Sequence, residues 1–195
     1  MLTVETDSAG VEERLRSGRL ACPECAGVLV GWGRARARTV RGRDGGLRVV
    51  PRRSRCTGCR ATHVLLPVSL LLRRADAVVV IGAALAAKAT GVGHRGIAEQ
   101  LGRPSTTVRG WLRRFAARVE QVRVVFTLRA RALAPDPVLP GPAGSGWADA
   151  VAAVSAAAGA FAARFSVEVP VWEVACAVSA GRLLASGWPA SADQC

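Results

Sequence analysis

Two cysteine pairs offer the most specific chemistry in the sequence. Cys22-Pro-Glu-Cys25 and Cys56-Thr-Gly-Cys59 both read C-x2-C, with 30 residues between them. A C-x2-C turn aims two thiolates at one point, and two such turns complete a tetrahedral Zn²⁺ site. Four thiolates leave no open position for water, so the expected role is structural: one Zn²⁺ held by Cys22, Cys25, Cys56 and Cys59. Two other readings remain open, four unrelated reduced thiols or a redox C-x-x-C pair, although no βαβ pattern surrounds either pair. His63 stands four residues past Cys59 and could replace a cysteine. Its setting in ATHVLLP reads as strand, which makes it a neighbour of the site rather than a ligand. Cys176 lies in an apolar helical stretch and reads as core. Cys195 reads as a free thiol.

The spacer between the pairs exceeds the usual length of about 15–20 residues, but it reads as a hairpin. VLVGWGRARARTV is strand-like, RGRDGG supplies a turn at Asp44-Gly45, and LRVVPRRSR returns to the second pair. A hairpin of any length brings its ends together. Residues 20–66 are therefore expected to form a small β zinc ribbon, preceded by a tail over 1–19. The metal would replace a core that about 45 residues can hardly supply, so its removal is expected to unfold the ribbon and leave the rest intact. Within the hairpin, Arg34, Arg36 and Arg38 alternate with alanines. Period two places them on one strand face, to touch phosphate or simply to face solvent.

The middle of the chain, 72–132, reads as helices. Val78, Ile81, Leu85 and Ala89 share one face of a helix over 73–89. Gly82 lies on that face, where it admits a close neighbour or weakens the helix, and Gly91 and Gly93 end it. In HRGIAEQLGRPSTTVRGWLRRF, residues 94–115, Ile97, Ala98 and Leu101 form an inner face. Gly102 supplies a left-handed turn, Pro104 stops the first helix, and Ser105 is placed to cap the next. Val108, Trp111 and Leu112 pack back. The pattern resembles a DNA-binding helix-turn-helix, with a generic helical hairpin as the alternative. In such a motif the second helix enters the major groove, so Ser105, Thr106, Arg109, Gly110 and Arg113 would face it. Arg109 is the candidate for guanine readout. Arg95, Arg103 and Arg114 are candidates for phosphate, and His94 for a cap or a phosphate contact. Val108, Leu112, Phe115, Val119, Val122 and Phe126 continue a 3.5-residue seam along one long second helix. The seam would zip two chains into a homodimer or pack within one.

The charge is uneven. Residues 1–65 hold 13 Arg/Lys against 6 Asp/Glu, net +7; residues 66–131 hold 12 against 3, net +9; residues 132–195 hold 2 against 5, net −3. A basic front joined to an acidic tail points to a polyanionic partner, double-stranded DNA above all, for the front alone. Lys88 is the single lysine; a GC-rich genome accounts for arginine over lysine, but not for a tail poor in both. The tail comprises a Pro/Gly linker over 133–146, a helical hairpin over 147–186 and a terminal stretch over 187–195. The expected fold is thus mainly α, with a small N-terminal β zinc ribbon, a helix-turn-helix core and a C-terminal helical hairpin. The N-terminus shows no signal core, and stretches such as Val78–Ala87 fall short of the roughly 18–20 residues a bilayer needs. A cytoplasmic, nucleoid-associated protein without a membrane role is the expectation.

C-x2-C-x3-H-x-L-L-P, a helix, and then GHRGIAEQLGRPSTTVRGWLRRF together resemble an uncharacterised family from high-GC bacteria. Its members look like the N-terminal parts of insertion-sequence transposases. The resemblance covers about residues 20–130 and implies DNA binding. Transposases of that kind continue into a ribonuclease-H-like domain with three metal-binding carboxylates. Here Asp136, Asp149, Glu168, Glu173 and Asp193 are the acids after residue 132, in a stretch too short and alanine-rich for that fold. No Ser-His-Asp set, Gly-rich phosphate loop or paired carboxylates stand out either, so no enzymatic activity is expected. The leading expectation is a transcriptional regulator or the targeting part of a transposase-like mobile element. The alternatives are a protein-interaction adaptor using the ribbon and the C-terminal helices, and a non-functional transposase remnant.

Overall fold

The first nineteen residues are not a tail. The Asp7 carboxylate accepts hydrogen bonds from the Ala9 and Gly10 amides, capping helix α1 (Ser8–Arg16). Strand β1 (Leu2–Val4) lies parallel to β6 (Thr62–Pro67), with Leu2 opposite Leu65. Val4, Val11 and Leu15 thereby join Leu20, Leu29, Leu65 and the buried Cys22 and Cys56 in one small core. The period-3.6 spacing of Val11 and Leu15 carried this signal, and the acids around it concealed it. The structure, a computed structural model, describes residues 1–189; Cys195 and most of the 187–195 stretch lie outside the described residues.

The chain is mainly α with an N-terminal β part. Strands β2 (Leu29–Arg34) and β5 (Arg52–Cys56) complete a sheet of order β1-β6-β5-β2. Strands β3 (Arg38–Arg41) and β4 (Gly46–Val49) form a separate two-stranded ribbon closed at Asp44-Gly45, where Gly45 takes φ 144°. The expected hairpin is present but broken. Register shifts between Gly31 and Arg34, Gly33 takes φ 85°, and residues 35–37 are not strand. The alternation that would put Arg34, Arg36 and Arg38 on one face is lost. Arg34 ends one sheet beside Glu12 at 3.8 Å, Arg36 is exposed between the sheets, and Arg38 starts the other.

Helix α2 (Val78–Ala89) begins five residues later than its apolar pattern suggests, because the preceding backbone is bridged elsewhere: Leu70 to Ala77, and Asp76 to Arg41. Helices α3 (His94–Leu101) and α4 (Ser105–Ala116) flank Gly102, which is left-handed at φ 59°. Ser105 is the first helical residue rather than the cap; Pro104 holds that position. Ile97, Ala98, Val108, Trp111 and Leu112 are buried together as expected. The second helix is not one long rod. It stops at Ala116, Arg118 takes φ −139°, and α5 (Val119–Leu133) starts afresh. The seam survives the break but turns inward. Val108, Leu112, Phe115, Val122 and Phe126 are buried and Val119 is half-buried, all within this chain.

Helices α6 (Gly146–Phe165) and α7 (Val171–Val178) do not form a separate unit. Ala150, Ala153, Val154 and Ala157 of α6 share the core of α2–α5, and α6 packs chiefly along α5. Trp147 packs against Phe115 with ring centroids 4.7 Å apart and planes tilted by 52°, and its indole N–H donates to the Leu85 carbonyl at 2.9 Å. Gly82 admits Trp172 of α7: a Cβ there would lie 2.0 Å from the indole. Helix α7 ends early, where Ala180 and Gly181 take positive φ. By length and composition α6 is apolar enough to cross a bilayer, which the sequence reading credited to no segment. Its alanine face is an interior face of this fold.

Candidate metal centre and basic surfaces

The two cysteine pairs meet. The Sγ atoms of Cys22 and Cys59 are 3.8 Å apart, those of Cys25 and Cys56 are 3.4 Å apart, and all four lie within 4.8 Å of one another without a disulfide. Zn–S bonds of about 2.3 Å in a tetrahedron place sulfurs about 3.8 Å apart, so the set fits such an ion. The two turns are built alike. The Cys22 amide donates to the Gly27 carbonyl at 2.7 Å and the Cys56 amide to the Ala61 carbonyl at 2.9 Å. The residues after each second cysteine, Ala26 and Arg60, take φ 58° and 64°. Neither is glycine, so no local sequence signal marked these left-handed positions. Gly27 leaves room for the sulfurs: a Cβ there would crowd them, at 3.0 Å from that of Cys56 and 3.3 Å from that of Cys25.

Crowding splits the thiols. Cys25 is drawn down to about 6, first by the Gly27 backbone N–H and then by the Cys56 thiol. The Ala61 N–H favours the Cys59 thiolate, but the surrounding sulfurs, Cys25 first, outweigh it and push that thiol up to about 12. Such a cluster cannot hold four negative charges alone; a bound cation relieves that repulsion. His63 is buried on β6, with Nε2 3.4 Å from the Cys22 sulfur and Nδ1 3.2 Å from the Met1 nitrogen. His63 thus stands behind a candidate ligand, where its Nε2–H tautomer would orient the Cys22 thiolate.

The α4 residues fall into two groups. At about 100° per residue, Thr106, Gly110 and Arg113 point away from the buried Val108–Phe115 face, with Ser105 and Arg109 exposed beside them. Thr106, Arg109, Gly110 and Arg113 line a concavity of about 640 Å³ with Lys88 and His94, and among the described residues no carboxylate lines it. Arg95 is exposed on α3. Arg114 turns the other way. It folds over Gly110, donating to that carbonyl at 2.9 Å, and a Cβ on Gly110 would lie 3.0 Å from its guanidinium. Gly110 therefore serves Arg114 as much as any approaching partner.

Arg103 is a structural clamp rather than a free cation. Its Nε donates to Asp76 Oδ1 at 2.7 Å and its Nη2 to the Gly42 carbonyl at 2.6 Å, and its side chain is 14% exposed. Asp76, 2% exposed, also accepts from Arg41 at 2.7 Å. Sequence reasoning missed Asp76 entirely, since one acid between two loops carries no periodic signal. Compared with protein-family models, with curated proteins and with solved structures, the chain matches none of them. What fold and site define is a mainly α chain whose N-terminal β part carries a four-cysteine cluster able to hold a metal ion.

Proposed function

We propose that this chain is a sequence-specific, double-stranded-DNA-binding protein with one structural Zn²⁺ on Cys22, Cys25, Cys56 and Cys59. Helices α3 and α4 act as its helix-turn-helix. The observation that carries the reading is the outward face of α4, where Thr106, Arg109 and Arg113 project beside Lys88 and His94 with no acid among them. A helix offering such a face after a left-handed glycine turn suits the major groove. Arg109 reads a base, and the exposed Arg95 and Arg36 meet phosphate. Arg103 leaves the contact set, because the buried Asp76 engages it, whereas Arg34 stays exposed and only loosely faces Glu12. The biological setting is a cytoplasmic, nucleoid-associated regulator or the targeting part of a transposase-like element; no catalytic step belongs to it. A homodimer loses its sequence warrant, because the seam is used inside the chain.

Selection from random duplexes, followed by titrations at several salt concentrations, tests this. Arg109→Ala is expected to cost about 1–3 kcal/mol and to flatten preference at one position. Recovery of no motif, with duplex bound no tighter than heparin, defeats the reading. The adaptor alternative would then lead, because Val28 just before β2 and Val30 and Trp32 on it are exposed at alternate positions, with Arg55 lying 4.7 Å over the Trp32 ring.

A further inference from the structure

The loop before α2, the end of α4 and the turn after α7 bring Arg73, Arg74, Arg114, Arg118 and Arg182 around one concavity of about 380 Å³. Among the described residues, its remaining walls are apolar apart from Ser186, and no carboxylate lines it. Acids elsewhere do neutralise arginines: Glu12 takes Arg34 and Arg52, Asp76 takes Arg41 and Arg103, and Glu120 takes Arg123. Among the described residues, none of these five arginines is in an ion pair. Five convergent cations with no counter-charge among the described residues raise the energy of the fold. The strain is visible at Arg74. Burial, and then the charge of Arg114, hold its guanidinium below the ordinary arginine value, and its buried Nε has no partner. Arg73 adds backbone strain, at φ 58° with a side chain. Arg114 and Arg118 each give a hydrogen to a carbonyl of α4, Gly110 and Arg114 respectively. A guanidinium has five donors, so most of their capacity remains.

We propose that this concavity is a binding site for a small ligand carrying adjacent phosphates, a pyrophosphate-type group. Guanidinium forks match phosphate oxygens in pairs, and several forks around one hollow match several adjacent charges. The volume suits a small molecule, near the low end of the usual range of about 300–1,000 Å³. The site is also distinct from the α4 face assigned to DNA, since Arg114 stands about 100° around the helix from Arg113. It stands whether or not the DNA reading does.

Calorimetric titration of the full chain with sodium pyrophosphate, at fixed ionic strength and against chloride and sulfate, tests it. Saturable one-to-one binding is expected. Among the described residues, the side chains of Arg73 and Arg182 make no hydrogen bond within the fold, so the Arg73→Gln, Arg182→Gln double variant should fold normally. It should bind pyrophosphate about tenfold to a hundredfold more weakly, while Arg109→Gln binds as the wild type does. No saturable binding overturns the proposal, and so does an equal loss in Arg109→Gln, which would mean a diffuse basic surface. If duplex DNA displaces pyrophosphate and the double variant loses duplex affinity in parallel, the hollow belongs to a DNA-backbone interface and the small-ligand assignment fails. Failure of DNA selection alone leaves the calorimetric result standing.

Discussion

Removing the Asp76 carboxylate should destabilise the protein more than any single surface charge would. Asp76 is 2% exposed, and its two oxygens take Arg103 and Arg41 at 2.7 Å each. The two partners differ in solvent access: the Arg103 side chain is 14% exposed and that of Arg41 is 46%. Breaking a buried pair by removing one member costs about 3–5 kcal/mol, whereas an exposed pair contributes about 0–1 kcal/mol. Asp76→Ala is therefore expected to cost about 3–5 kcal/mol, nearly all through the Arg103 arm, and Arg41→Ala less than about 1 kcal/mol. A double-mutant cycle between Asp76→Ala and Arg103→Ala should give a coupling of about 2 kcal/mol, and the Arg41 cycle only a few tenths. Urea unfolding, followed by circular dichroism and tryptophan fluorescence, measures these values. A cost below about 1 kcal/mol for Asp76→Ala, or a larger coupling to Arg41 than to Arg103, refutes the clamp. In DNA titrations Arg103→Ala should leave the salt slope unchanged, while Arg95→Ala lowers it by about one unit.

Freshly purified protein should carry one Zn²⁺ per chain by elemental analysis and Cys56→Ser should carry much less; no metal in the wild type, or equal metal in both, contradicts the site. Zinc affinity in chelator competition should rise with pH, because Cys25 at about 6 is mostly thiolate at neutrality whereas Cys59 at about 12 must give up its proton on binding. Gly82→Ala should lower stability by about 2 kcal/mol in thermal unfolding, an overpacking cost of about 3 kcal/mol against Trp172 less about 1 kcal/mol of regained helix propensity; a stabilised variant would mean that the indole moves freely. Burial raises the Glu173 carboxyl above its ordinary 4.5, so the unfolded chain loses that proton first and stability falls as pH rises through this window. Glu173→Gln should then be more stable than the wild type at pH 7, with the gap closing on acidification; a pH-independent difference removes burial as the cause.

What could be read from sequence was whatever repeats or pairs locally. The two C-x2-C turns, the left-handed Gly102 and the buried stripe Ile97, Ala98, Val108, Trp111, Leu112 depend on neighbours within a few turns, and all are where spacing placed them. Contacts over long separations were not legible. Asp76 meets Arg103 27 residues on, and Trp172 fills the space that Gly82 leaves. The 3.5-residue seam was real, and of its two expected uses the structure shows packing within the chain, much of it against α6. Arginine alternation failed because one glycine at φ 85° ended the strand geometry on which it relied.

The cysteine cluster and α4 are joined through the backbone between them. Successive residues of a strand face opposite sides, and on β6 Leu65 enters the ribbon core while Leu66 enters the helical core. Val40 of β3 is likewise buried among the helices. The carbonyl of Gly42, one residue past β3, is held by Arg103, one residue past the Gly102 turn. Whatever fixes the cysteine end of the ribbon thus helps fix the turn that aims α4. The expectation that the ribbon would unfold alone on metal loss assumed two cores joined by a linker, and these two cores share strands. A structural Zn²⁺ is worth about 10–16 kcal/mol, against a total stability of about 5–15 kcal/mol for an ordinary domain. Its loss would therefore release β6 and β3 from the helical core as well, and with them the clamp on Gly102 that sets the direction of α4.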